Sequence, residues 1–566
     1  MKLIIREYLA SLRERRELDA LLPDLLSQMG LDVFAKPGIG NRQYGVDVAA
    51  FGSIDGEPKK VYLFSIKRGD LGRKDWNSGS IQDLQPSMDE IRDTYIPTHL
   101  PVEYKDKPIE ICICFGGDLK EEVRLNVSTY EEKYRTEQLS FSEWGGEKIA
   151  GYIEKFLLRE ELLPKDCRRL LRKSLAMLDE PDVSHRHFCQ LIKLLANNED
   201  KKPKEILTAM RQLNLCLWIL YTWCREADNL ESSFLSGERA VLTAWHIGKP
   251  FLNKKKKGKI STALLETSAF ILSLYTQIVH YYLENKILPH TGKLYAISRA
   301  TAPSCALDVN LKLFDLLGRL ALSGIWLYWL SSRLSQDDTQ ETEKVIQQGI
   351  EQYRLGITQL IANNPILFTP YKDDQAIDIA LAAYFLAIDP KNHGDLHAWL
   401  SNMVNRIHFL FQTNSNYPCT LRNYHELLEH PIQDREDYQK NVTNASVLYP
   451  TIAVFAALFG FENIYSAVQK IKSDFLEHCD FQYWYPDATS EEHYYTNDNL
   501  HGAAFLGVYI DKDHKSFLED LFSECEESAH FHELSAIKYG HWPLLLLASR
   551  HYRLPIPLHF LKGLQK

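Results

Sequence analysis

No Cys-x-x-Cys pair occurs among the ten cysteines of this 566-residue chain. A zinc ribbon and a disulfide scaffold are therefore not expected, and free thiols in a reducing, cytoplasmic setting are. An excess of positive charge is also missing, since 65 Lys and Arg against 75 Asp and Glu give a net charge of -10. The chain is not a basic nucleic-acid coat, so a phosphate backbone would have to meet a local basic patch. The N-terminus lacks the apolar core of a signal peptide, because Arg13-Glu14-Arg15-Arg16-Glu17 follows within a few residues. Long apolar runs are scarce. Residues 320–330 lie between Arg319 and Ser331, and 447–461 contain Pro450, so no membrane span is expected. Gly-x-Ser-x-Gly and His-Glu-x-x-His are absent as well.

What is present is the composition of a folded protein, 45% hydrophobic and 25% charged, with the length of about three to four ordinary domains. Two textures divide it. Up to about residue 165 the periodicity alternates between helical and strand-like. Leu18, Leu21, Leu22, Leu25, Leu26 and Met29 predict a helix stopped by Gly30. Residues 46–51 and 61–66 predict a β-hairpin across Asp55-Gly56. A helix at 86–92, a buried strand at 109–115, a strand at 138–142 and a helix at 147–158 complete a compact α/β domain. Beyond it, apolar-periodic segments follow one another with few strand signals, which predicts a large, mostly helical region. The expected division is 1–165, 166–335 and 336–566.

The stretch Lys36-Pro-Gly-Ile-Gly-Asn-Arg-Gln-Tyr-Gly-Val-Asp47 is followed, twenty residues after Asp47, by Ser65-Ile66-Lys67-Arg68. If the hairpin turns near Gly56, residues whose numbers sum to roughly 112–114 face one another, so Asp47 meets Ser65 or Lys67. Ser65 and Lys67 share a face because side chains alternate along a strand. A carboxylate and an ammonium are thus gathered at one end of a sheet. The carboxylate can hold a hard divalent cation, and the ammonium can stabilise charge developing at a phosphate.

These residues, in this order, resemble the PD-(D/E)xK nuclease superfamily and, within it, the Mrr-like restriction endonucleases. Tyr44-Gly45-Val46-Asp47 matches the Gly-x-Asp element and Ser65-Ile66-Lys67 the closing motif. Asp19, with Glu17 as the alternative, occupies the place of the family's helix carboxylate. The sequence departs from the pattern at Ser65, where the family has an acidic or amide side chain. The resemblance implies an α/β restriction-endonuclease-like domain ahead of the helical region, and a Mg²⁺- or Mn²⁺-dependent DNA endonuclease. It implies Asp47, Asp19 or Glu17 and the Ile66 carbonyl as metal ligands, Lys67 as the charge-stabilising group and Ser65 as a water-orienting one. It also implies a restriction or antiphage effector, with the helical region sensing a partner protein or trigger or forming a homo-oligomer. Lys59, Lys60, Lys67, Arg68, Arg73 and Lys74 stand against Asp70 alone in residues 59–74. This is a basic stretch suited to a phosphate backbone, in a region whose 24 basic and 29 acidic residues otherwise leave it acidic.

Ser65 equally fits a second expectation, a degenerate nuclease that binds nucleic acid or a partner without cutting. Weaker signals lie further on. The basic loop 253–259 lacks the first glycine of a phosphate loop. His185, His187 and Cys189 have the wrong spacing for one helical face. Arg239 and His246 loosely resemble the motif of HEPN ribonucleases. The aromatic and polar stretch 478–502 fits either a recognition pocket or an interface between helices.

Overall fold

The computed structural model describes residues 5–6, 9–10, 12, 18–36, 44–80, 83–157, 165–197, 201–252, 258–301, 305–334, 340–431 and 436–565. Glu17 and residues 253–257 of the basic loop lie outside them. The chain divides into two compact units, residues 1–240 with 250–274, and 241–249 with 275–566.

The first unit is built on a five-stranded mixed sheet. Helix α1 (Asp19–Gln28) buries Leu22, Leu25 and Leu26, and the chain leaves it at Gly30 with φ +95°, a backbone state that glycine adopts at little cost. Strands β1 (Asp32–Ala35), β2 (Val48–Gly52) and β3 (Lys60–Lys67) form an antiparallel meander. Asp55 and Gly56, both with positive φ, make the β2–β3 turn that an Asp-Gly pair favours. The chain then forms the one-turn helix Arg73–Trp76 and helix α2 (Leu84–Glu90), extended by a π-helical stretch over Ile91–His99. Strand β4 (Ile109–Phe115) returns parallel to β3. Helix α3 (Glu121–Tyr134) leads to β5 (Leu139–Trp144), parallel to β4, and α4 (Gly146–Tyr152) follows. The sheet order is β1-β2-β3-β4-β5.

Alternation along the strands separates two layers. Val61 and Leu63 pack with Ile109, Ile111 and Ile113 against Leu84, Met88 and Ile91 of the α2 segment and Val123 and Val127 of α3. Phe64 belongs to the opposite face, where it meets the edge of Trp144 at 5.0 Å. Strand β4 is buried along its whole length, as suits a strand with a parallel neighbour on each side. The sequence expectation lacked β1 and α3. β1 is four residues with no fully buried position, and α3 buries only Val123, Val127 and Tyr130 in a polar run. Both were too weakly patterned to read.

Helices α5 (Lys165–Ala176), α6 (Pro181–Ala196) and α7 (Pro203–Glu226) of the first unit follow the sheet region. Arg211 of α7 donates to Gln28 Oε1 at 3.2 Å and lies 3.6 Å from Asp24, while Gln28 donates to Thr208 Oγ1 at 2.9 Å. Residue 165 therefore falls inside this unit.

The second unit is largely helical. Helix α8 (Ala306–Ser331) packs against α9 (Gln340–Asn363), α10 (Ala376–Ala387) and α11 (Pro543–Tyr552). The expected division near 335 lies between two helices that pack on each other. Among the described residues, Lys259–Thr291 and α8 are long and apolar enough to cross a membrane by length and composition. In α8 two thirds of the apolar window is buried (67%), and it carries the buried Arg319 paired with Asp315 at 2.7 Å, which is how a core helix uses its apolarity. The aromatic stretch is also core: Tyr483, Tyr485, Tyr494 and Tyr495 are buried, with Tyr494 hydrogen-bonded to Ser549 at 2.9 Å. All ten cysteines are free thiols.

Burial pulls several imidazoles of this unit down. His559, stacked on Phe531 at 4.1 Å and hydrogen-bonded to the Cys525 carbonyl, is held at about 4, and burial lowers His430, His501 and His541 too. A folded value below the unfolded one means that the unfolded chain binds more protons in between. Stability is thus full above about pH 6.5 and is lost as pH falls toward 4. Thermal melts should show a drop of several degrees from pH 7.5 to pH 5, with a smaller drop in His559→Gln, which keeps a donor for Cys525 but does not titrate. Parallel pH profiles for the two proteins would remove His559 from this account.

Candidate active site

Asp47 is set by a turn that only glycine can complete. Tyr44 and Gly45 both have positive φ, +49° and +80°, and a Cβ on Gly45 would stand 2.2 Å from the Ser87 carbonyl oxygen of α2. The Tyr44 ring lies 4.2 Å from that of His99, so the loop is docked onto the helix at both residues. Gly45→Ala is expected to cost about 2 kcal/mol or more through strain and clash. An unaltered melting temperature would show that the turn is not held in this way.

Val48 pairs with Phe64 in the last pair of the ladder, where facing residues sum to 112, and Asp47 stands one residue beyond that pair. The Asp47 N–H donates to the Phe64 carbonyl at 2.8 Å, and its Oδ2 accepts from the Ile66 N–H at 2.7 Å. The carboxylate is thereby fixed against β3 at its half-buried position. Burial, with Asp47 nearby, pushes the Cys114 thiol well above its ordinary value, which makes it an inert thiol beneath the site. Ser65 is 1% exposed. Lys67, two residues on and on the same face, is half-buried at the end of β3, and Arg68 is exposed beyond it.

The remaining sequence candidates divide between the two ends of β3. Arg73 and Lys74 are exposed on the one-turn helix shortly after Lys67 and Arg68. Lys59 and Lys60 are at the other end, and seven residue steps of strand separate Lys60 from Lys67 by roughly 23 Å. Lys60 is engaged there by Glu57 at 2.8 Å and Glu110 at 3.0 Å, and the Glu57 hydrogen bond, followed by that of Glu110, raises its pKa against the effect of burial. The basic stretch is thus two groups, and only Lys67, Arg68, Arg73 and Lys74 share an end with Asp47. Asp19 is half-buried in the first turn of α1, the helix that packs against β1 and β2.

Among the described residues no group of three or more His, Cys, Asp and Glu is placed to hold a metal ion. The donors present fit a minimal set: Asp47, with the Ile66 carbonyl leaving β3 on the same edge as the Ile66 N–H. Such a set suits Mg²⁺, which takes one or two carboxylates and fills its shell with water and substrate phosphate. When bound, the ion neutralises phosphate charge and acidifies a water.

His185 bonds Ser236 at 3.1 Å and lies 3.4 Å from the Cys189 sulfur, and Arg239 is buried. One feature escaped the sequence reading. Lys165, Arg168, Arg169, Arg172 and Lys173 line a concavity of about 540 Å³ along α5. Their spacing of three and four residues was the signal that could have found them. No family model, no curated protein and no solved structure matches the chain.

Proposed function

We propose that the first unit is a Mg²⁺- or Mn²⁺-dependent DNA endonuclease domain of the PD-(D/E)xK kind, in a restriction or antiphage effector regulated through its helical region. The observation that carries this reading is the lock between the Asp47 carboxylate and the Ile66 N–H, with Ser65 and Lys67 on the same face of the middle strand. In support stands the topology, a helix and an antiparallel three-strand meander followed by parallel crossovers. Asp47, with the Ile66 carbonyl, would hold the cation, which would supply an acidified water. Lys67 stabilises the charge that develops on the phosphate, while Arg68, Arg73 and Lys74 draw the backbone to that end of the sheet. Ser65, buried and uncharged, adds no negative charge, so the site works with fewer carboxylates than its family pattern. The test is incubation of the full chain with Mg²⁺ or Mn²⁺ and a panel of duplex, single-stranded and RNA substrates. Duplex DNA should be cut, and EDTA should stop the reaction. A chain that leaves every substrate intact, with or without a partner protein, sinks the reading.

A second reading is a non-catalytic nucleic-acid-binding scaffold. It is favoured by the burial of Ser65 and by the lack of a carboxylate cluster among the described residues. It requires binding without cleavage in the same assay.

A further inference from the structure

Helix α5 is strongly two-faced. Cys167, Leu170, Leu171, Ser174 and Leu175 are buried, packed toward α6 and α7. The opposite face carries Lys165, Arg168, Arg169, Arg172 and Lys173 in one concavity. Within α5 these five cations accompany one acid, Asp166, which pairs with Arg169 at 3.0 Å with both side chains exposed, an arrangement that neutralises little. Lys201, from the segment that enters α7, stands near enough to Cys167 for each to affect the other's protonation.

A stripe of this kind is not an ordinary solvated face. Like charges three and four residues apart disfavour the helix, and the chain as a whole carries -10. The stripe therefore concentrates positive potential where sequence-wide composition opposes it. Its dimensions fit one polyanion. Twelve helical residues span about 18 Å, the length over which one strand of duplex DNA presents about five phosphates.

We infer that the basic face of α5 is a docking surface for the phosphate backbone of duplex DNA. The choice of DNA over another polyanion rests on the nuclease reading, whereas the surface itself rests on charge and geometry. Arginine and lysine on a regular helical stripe contact phosphates without reading bases, so the contact is independent of sequence.

The test is fluorescence anisotropy with the full chain, in EDTA, on a labelled duplex of about 30 base pairs between about 50 and 200 mM salt. The triple variant Arg169→Gln, Arg172→Gln, Lys173→Gln should bind on the order of 100-fold more weakly near 100 mM salt, with a salt slope smaller by about three. All three residues are exposed, and thermal melts confirm that the variant folds. A control with the same charge change on exposed lysines elsewhere, Lys391→Gln, Lys470→Gln, Lys515→Gln, should bind as the wild type does. An unchanged slope in the stripe variant overturns the inference, as does an equal loss in the control. Competition by poly-glutamate as effective as by unlabelled duplex also overturns it and assigns the face to an acidic protein. Failure of the nuclease reading looks different: stripe-dependent binding persists while no substrate is cut with Mg²⁺.

Discussion

Asp47→Asn is expected to abolish metal-dependent DNA cleavage, by a factor of about a thousand or more, while the protein melts within a few degrees of the wild type. The separation of the two effects follows from how Asp47 is held. Its Oδ2 accepts from the Ile66 N–H at 2.7 Å, and an amide oxygen can accept the same bond, so the loop stays docked. The amide cannot supply the charge that a hard cation requires. Asp47→Ala loses both functions and should cost about 1–2 kcal/mol in addition, because it leaves the Ile66 N–H without that acceptor. Lys67→Ala should reduce the rate about a hundredfold and leave binding in EDTA almost unchanged. Plasmid cleavage together with differential scanning calorimetry reads all three. Wild-type cleavage by the asparagine variant would remove Asp47 from the chemistry.

The largest effect on stability is expected in the second unit. Asp315 bonds Arg550 at 2.8 Å and Arg319 at 2.7 Å, and these arginines are 3% and 2% exposed. One carboxylate therefore compensates two guanidinium groups that water hardly reaches. Asp315→Ala takes from both arginines the carboxylate they share and should destabilise by about 3–5 kcal/mol, lowering the melting temperature on the order of 10 °C. Replacing Asp315, Arg319 and Arg550 together by apolar residues of similar volume should restore much of the loss, since an ion group is harmed more by halving than by removal. A variant that melts with the wild type would mean that solvent reaches these arginines.

The site was more legible in the sequence than the unit around it. Asp-Gly between two alternating runs specifies a turn, and the turn specifies register, so the arrival of Asp47 beside the last residues of β3 followed from counting. The same counting could not show that Lys60 is taken up by Glu110, because Glu110 lies 50 residues away on a parallel strand whose register no turn fixes. Parallel pairing depends on the crossover helices, and α3 was nearly unreadable because Val123, Val127 and Tyr130 are its whole buried face. The division into units was hidden for a related reason. The change of periodicity near 165 looked like the edge of a domain, yet Arg211 reaches back to Asp24 and Gln28 across a distance in sequence that composition does not reveal.

That reach has a practical side. Burial raises the Asp24 carboxyl, and Arg211 opposes this as the leading nearby positive charge. A fragment cut after the last strand would therefore surrender the guanidinium and expose the face of α1 that meets α7. The smallest excisable piece that retains Asp47 with the partners of α1 runs beyond Glu226. Inheritance, expression and transplantation of the site should respect that length.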